Sequence, residues 1–229
     1  MNINQAFQSA ADHKKAKLSL RFFKTGKGEY GEGDVFLGIA VQKIRKIAKE
    51  FKNISLGEVQ KLLDSEIHEK RLCALVILIK KYKTADEIEK KDIFDFYMKN
   101  TRRINNWDLV DLSAPNIMGH YLHDKDKKIL HELSVSADLW KKRIAVLATF
   151  YFIRKDDFKD AIKIAETLLN DAHDLIHKAV GWMLREIGKR NQEIEEDFLK
   201  KHRKSMPRTM LRYAIEKFPE EKRKFYLKN

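Results

Sequence analysis

At 229 residues the chain is long enough for one large domain or two small ones, and its 43% hydrophobic and 35% charged residues describe a globular protein rather than a disordered or fibrous one. Its 47 Lys and Arg against 34 Asp and Glu give a formal charge of +13 and a pI near 9.6, which points to a polyanionic partner, nucleic acid first. The single cysteine, Cys73, excludes an intrachain disulfide; no apolar run approaches the roughly 20 residues of a membrane span, and Met1 to His13 carry no signal-peptide pattern, so a cytoplasmic protein without a membrane partner is expected.

Apolar residues recur every three or four positions from end to end, interrupted by only three prolines, and this rhythm predicts an all-α chain. Helices are expected at 3–24, 38–51, 56–63, 66–82, 85–99, 104–113, 116–122, 125–134, 138–153, 157–170, 173–190, 192–203, 206–217 and 219–227. Ser55 with Glu58, and Thr84 with Glu87, have the spacing of capping boxes and mark two helix starts. Between the first two helices, Gly26-Lys-Gly28-Glu-Tyr-Gly31-Glu-Gly33 formally contains G-x-G-x-x-G. A nucleotide-binding loop of that form would follow a strand, whereas this one follows the helical Leu18 to Lys24, and no H-R-D or D-F-G triplet comes after it. A segment whose main-chain amides can approach a surface is expected there instead. Farther along, Pro115 lacks the amide proton that a continuing helix needs, so the helix carrying Trp107 and Asp111 should stop soon after Asp111.

Superimposed on the helices is a repeat. Arg71, Trp107, Arg143 and Lys178 are spaced by 36, 36 and 35 residues, within the apolar stretches Lys70 to Leu78, Asn106 to Leu112, Lys142 to Phe150 and His177 to Glu186. Such a period belongs to stacked helix pairs, an α-solenoid in which equivalent positions line a concave surface. One continuous domain over 1–229 follows, with a basic ladder suited to an anion. Clusters at Arg102-Arg103, Lys141-Lys142-Arg143, Lys189-Arg190 and Lys200 to Lys204 fall at repeat ends and suit a phosphate backbone.

Trp107 and Asp111 lie four residues apart, so on a helix they share a face and a carboxylate borders an indole. The plain alternative is a core tryptophan and a surface-paired aspartate. The shared register of Trp107 with three cations, and the poor fit of aspartate near a helix C-terminus, argue for function instead. Trp182, four residues beyond Lys178, holds the register position of Asp111; packing between repeats is its plain alternative. His120 with His123, and His173 with His177, lack the cysteine or glutamate of the usual zinc sets, so neither a metal nor another cofactor is expected. Cys73 sits in an aliphatic run and reads as a core thiol, and Ser113 and Ser134 lack a nucleophile elbow.

Arg21-Phe22-Phe23-Lys24-Thr25 through Gly26 to Asp34, then Phe36-Leu37-Gly38, Asn106 to Asp111, Lys142-Arg143 and Lys178 to Glu186 together resemble the bacterial DNA alkylation repair glycosylases of the AlkD type, built from HEAT-like repeats. The resemblance runs through nearly the whole chain. It implies that Asp111 is the catalytic aspartate, that Trp107 and Trp182 flank the damaged nucleotide, and that Arg143 is the arginine of the catalytic cleft. Phe22 stands where some members carry tyrosine, which keeps the ring face and removes a hydroxyl. Arg71, Arg102, Arg103, Lys141, Lys142, Lys178, Arg185 and Phe22 are the expected DNA contacts and a monomer is expected; the resemblance implies release of cationic 3-methyladenine and 7-methylguanine from double-stranded DNA. Two other functions fit an array of helices: a non-catalytic module for damaged or branched DNA, and a protein-interaction scaffold, against which the basic ladder argues.

Overall fold

The computed structural model describes residues 2–228, and among them it contains helices but no strand, apart from an isolated parallel bridge between Val35 and Ile67. No helix is long and apolar enough to cross a membrane. The chain divides into two compact units, Met1–Ser113 and Ala114–Asn229, where the periodicity suggests one continuous domain.

The first unit contains α1 (Ile3–Ala10), α2 (His13–Phe22), α3 (Val41–Glu50), α4 (Leu56–Leu63), α5 (His68–Thr84), α6 (Glu87–Lys99), a 3-10 turn (Thr101–Arg103) and α7 (Trp107–Ser113). The helix expected over 3–24 is two helices. Ala11 is extended, and Asp12 caps α2 by accepting the amides of Lys14 and Lys15, an interaction that favours a fresh start over continuation. At the centre lies α5, whose entire run Leu72–Ile79 is buried because α3, α4, α6 and α7 pack around it. Each such aliphatic side chain contributes roughly 1.5–3 kcal/mol by leaving water. Cys73 belongs to this run, and burial pushes its thiol up to about 12, which keeps it protonated and inert.

Ser55 and Glu58 form the expected capping box of α4. The second box is displaced by two residues: Asp86 and Glu89 cap α6, while Thr84 ends α5 with its hydroxyl donating back to the Lys81 carbonyl. The glycine-rich loop also departs from expectation. Its Gly26 and Gly28 amides donate to the carboxylates of Glu29 and Glu32, and those of Gly31 and Asp34 to the carbonyls of Lys24 and Gly31. These amides are used within the loop, whose effect is to carry the chain round and deliver Asp34 and Phe36 to the interior. The loop then docks tightly on α2. Gly38 has φ +75°, and a Cβ there would lie 2.1 Å from the Asp12 carbonyl oxygen, so only glycine fits. Buried Glu69 of α5 accepts the amides of Leu37, Gly38 and Ile39 and locks this approach.

The second unit begins with a π-helical turn (Pro115–Gly119) and continues through α8 (His120–Leu122), α9 (Lys128–Ser134), α10 (Leu139–Ile153), α11 (Lys159–Thr167), α12 (Asp174–Gly188), α13 (Gln192–His202), α14 (Arg208–Ala214), a 3-10 turn (Ile215–Lys217) and α15 (Glu220–Leu227). α7 ends at Ser113, two residues past Asp111, as Pro115 leads one to expect, and a π-helical turn follows. Ala114 keeps helical angles and the Gly119 amide reaches back five residues to its carbonyl, a wider turn that accommodates the proline ring. Inside this unit the repeat is visible as packing. A Cβ on Gly119 would lie 2.3 Å from the Ala148 carbonyl oxygen and 2.8 Å from the Tyr151 Cβ; one on Gly181 would lie 2.4 Å from the Met210 oxygen and 2.6 Å from the Tyr213 Cβ. The same glycine-on-backbone contact thus recurs where the π-turn meets α10 and where α12 meets α14.

Candidate active site

The first turn of α7 is anchored to a buried polar cluster. Asp34, 7% exposed, accepts hydrogen bonds from the Arg71 guanidinium, from His68 Nδ1 at 3.2 Å and from Asn106 Nδ2 at 3.0 Å. On its other side His68 donates from Nε2 to Asp108 at 2.9 Å. Burial alone would lower the affinity of His68 for its second proton, but hydrogen bonds and charge from Asp108 and Asp34 outweigh it and raise the group to about 9, so it is an imidazolium at neutral pH. Burial likewise opposes ionisation of Asp34, yet the hydrogen bond from His68 and the charge of Arg71 hold it below the ordinary carboxylate range. Removing one partner would strand the other as an uncompensated buried charge.

Trp107 and Asp111 stand one helical turn apart on α7, both half-buried, so the face expected from their spacing exists. A second pair of bonds braces the last turn: Tyr97 Oη lies 2.9 Å from Ser113 Oγ, which donates to the Leu109 carbonyl. Burial pushes the Tyr97 phenol upward, and the nearby Asp111 carboxylate adds to that rise. Rings back the indole. Phe23 stacks on Trp107 at 5.4 Å between centroids, Phe36 on Phe23 at 4.9 Å, and His68 on Phe36 at 4.8 Å. Phe22 meets Trp107 edge-on at 5.8 Å and is 65% exposed, an aromatic side chain left in water beside the indole. A pocket of about 150 Å³ between α3, α5 and α7 is bordered by Asp108, Arg45 and the side chains of Val41, Ile44 and Leu72. A larger cavity of about 690 Å³ lies at the opposite end of α5, lined by Lys80, Lys81, Lys83, Thr84 and Ala85 among others, and involves none of these residues.

The basic ladder is corrected by burial. Arg71 is 4% exposed with its guanidinium spent on Asp34 and the carbonyls of Ser65 and Glu66, so it is an interior ion pair and not a DNA-facing rung. Arg143, in the second unit, is 5% exposed and donates to the Leu175 carbonyl; a phosphate has little access to it. What these register positions share is an interior place near a helix start, the property that the periodic spacing alone could not distinguish from a lined groove. Elsewhere in the second unit, Lys142 pairs with Asp171, Lys178 with Asp174, and Arg185 with Glu216. Lys141 is half-buried. Trp182 lies 5.7 Å from Phe150 and donates its ring N–H to Glu186. In the first unit Arg102 and Arg103 are exposed.

Asp34, His68, Asn106 and Asp108 were not singled out by sequence reasoning. The signal available was local: Asp34 closes the glycine-rich stretch, Asn106 and Asp108 flank Trp107, and His68 lies three residues before Arg71 on the same helix face. No group of three or more His, Cys, Asp or Glu placed to hold a metal occurs among the described residues.

A family model described as DNA alkylation repair enzyme matches residues 3–218. No curated protein matches the chain in sequence. Among solved structures, a protein of Enterococcus faecalis described as a predicted DNA alkylation repair enzyme is similar over 92% of this chain and 97% of its own, with TM-score 0.72 and 16% identity. AlkD2 from Streptococcus mutans matches 90% of this chain and 99% of its own, with TM-score 0.57 and 19% identity. The protein smu.31 from Streptococcus mutans UA159 matches 94% and 96%, with TM-score 0.54 and 19% identity. At these identities the structures establish a shared all-helical fold.

Proposed function

The chain belongs to the DNA alkylation repair enzyme family, and from that premise we propose that it is a DNA glycosylase that hydrolyses the N-glycosidic bond of cationic alkylated purines, 3-methyladenine and 7-methylguanine, in double-stranded DNA. The observation that carries the proposal is the pairing of Trp107 with Asp111 on one half-buried face of α7, backed by Phe22 and Phe23.

A purine alkylated at ring nitrogen 3 or 7 already bears positive charge and leaves without prior protonation. What the protein must supply is stabilisation of positive charge on the sugar as the bond breaks. A fixed carboxylate at Asp111 does this for an oxocarbenium-like deoxyribose and orients the attacking water. The indole face of Trp107 adds a cation–π attraction, worth about 0.5–2 kcal/mol according to how dry the contact is. Neutral bases should survive, because none of the residues assigned a role in this reading is an acid for their leaving nitrogen. The net charge of +13 favours a polyanion, and exposed Arg102 and Arg103 are the basic side chains of the first unit that would meet phosphate. For Trp182 and Arg143, in the second unit, the family resemblance alone implies a role, and the burial of Arg143 limits its access to a phosphate.

The test is release of 3-methyladenine and 7-methylguanine from methylated duplex DNA under single-turnover conditions. Asp111→Asn should lower the rate roughly 10²–10³-fold, the scale of losing one group aimed at transition-state charge, while DNA affinity stays within twofold. Equal release by both proteins would falsify the mechanism, and salt-sensitive binding with no release by wild type would identify a non-catalytic DNA-binding module.

A further inference from the structure

Both chain neighbours of Trp107 are tied to the same buried pair. Asn106 donates to Asp34 and also accepts the Trp107 amide at 2.8 Å on its side-chain oxygen; Asp108 accepts from His68 at 2.9 Å and the Leu109 amide at 2.9 Å. The indole itself is reached from His68 by another route, through the stacked rings of Phe36 and Phe23. Backbone tether and ring stack therefore close into one circuit: His68, Asp108, Trp107, Phe23, Phe36 and back to His68. His68 is 2% exposed and lies on α5, the most buried helix of the unit, so the circuit is fastened to the part of the fold least free to move.

We propose that His68 is a positioning residue of the Trp107–Asp111 face, which fixes the orientation of the indole by clamping Asp108 against Asp34 from one side and supporting the Phe36–Phe23 stack from the other. The proposal rests on the glycosylase reading for its kinetic consequence but not for its geometric one. An imidazolium suits the task because it donates in two directions at once; a neutral ring must leave one of the two carboxylates without its proton. Charge-assisted bonds on both sides hold the ring plane more firmly than neutral ones would. The stacking partners then inherit that plane, and Phe22, edge-on to both Phe23 and Trp107, extends it toward water. His68 itself touches no substrate: it lies behind the rings.

Full-length protein labelled with 5-fluorotryptophan reads the effect directly, because its three tryptophans, Trp107, Trp140 and Trp182, give three fluorine resonances, that of Trp107 being assigned by its loss in Trp107→Phe. In His68→Gln the Trp107 resonance should shift or broaden while the other two hold still, and single-turnover release of 7-methylguanine should fall about 10- to 100-fold, the scale of a misplaced reacting group, with the Kd for DNA unchanged within twofold. Asp108→Asn, on the half-buried side of the clamp, keeps a folded protein available if His68→Gln does not fold, and should move the same resonance. A Trp107 signal unmoved in folded protein of both variants would overturn the proposal, as would full activity in His68→Gln. If the wild type releases no base yet the Trp107 signal still moves, the positioning role stands and the glycosylase reading falls.

Discussion

The two units differ in how they hold a buried carboxyl group. In the first, the space beneath α7 is filled by ions: Asp34, His68, Arg71 and Asp108 are matched so that each buried charge has a partner of the other sign. In the second, the buried carboxyl group is Glu195, 1% exposed, whose Oε1 has no hydrogen-bond partner among the described residues. Burial, reinforced by neighbouring Glu196, raises Glu195 to about 8, so at neutral pH it is mostly a neutral acid pressed against Gly188. Matched charges specify a geometry, while an unmatched one only costs stability when it ionises. The cluster of matched charges is tied to α7, which carries the Trp107–Asp111 face.

Breaking the match should give the largest effect. Asp34→Ala leaves the His68 and Arg71 cations buried together, and truncation of one partner in such a network costs about 3–5 kcal/mol. Amide hydrogen exchange should show the loss concentrated in residues of the first unit. Uniform loss across both units, or a cost below about 1 kcal/mol, would mean that the cluster does not hold α7.

Relieving the mismatch should give a smaller effect of opposite sign. Glu195 is raised in the folded protein from an ordinary 4.5, so stability is full below that value and declines as pH climbs to about 8. Glu195→Gln removes the ionisation and should stabilise the second unit by about 2–4 kcal/mol at pH 9, with the advantage vanishing near pH 4. A pH-independent difference would show that packing, not charge, governs the site. His68 acts on the first unit in the same direction for the opposite reason: its raised value means stability present below about 6.5 and lost as pH passes about 9.

The contrast between the units also explains what could be read in advance. Helices α5, α10 and α12 follow the apolar rhythm to within two residues because repetition every three or four positions is a local property. The Trp107–Asp111 face was legible for the same reason, being one turn of one helix. The Asp34–His68 clamp was not: it joins residues 34 apart through a loop whose path depends on Gly38 fitting against Asp12. Register misled at Arg71, since a 36-residue spacing fixes a place in the repeat and leaves open whether that place faces water or core. A composition-based count of positive charge is blind to the same distinction, because Arg71 and Arg143 add to the total from inside.

Exposed charges, by contrast, should matter little for folding and distinctly for binding. Arg102 and Arg103 sit on the 3-10 turn between α6 and α7, and Arg103 reaches Asp64 at 3.5 Å with both side chains about half in water. A pair so placed contributes at most about 1 kcal/mol, and Arg102 is exposed. Replacing both by alanine should therefore leave unfolding stability within about 0.5 kcal/mol of wild type. If each meets a phosphate, their loss releases two fewer counterions, and the slope of log affinity against log salt should fall by about 2. The excision rate at saturating DNA should be unchanged, because neither side chain belongs to the indole–carboxylate face. A salt slope equal to that of wild type would take this turn off the DNA track, and would move the electrostatic contact to other surface cations without disturbing the chemistry assigned to Asp111.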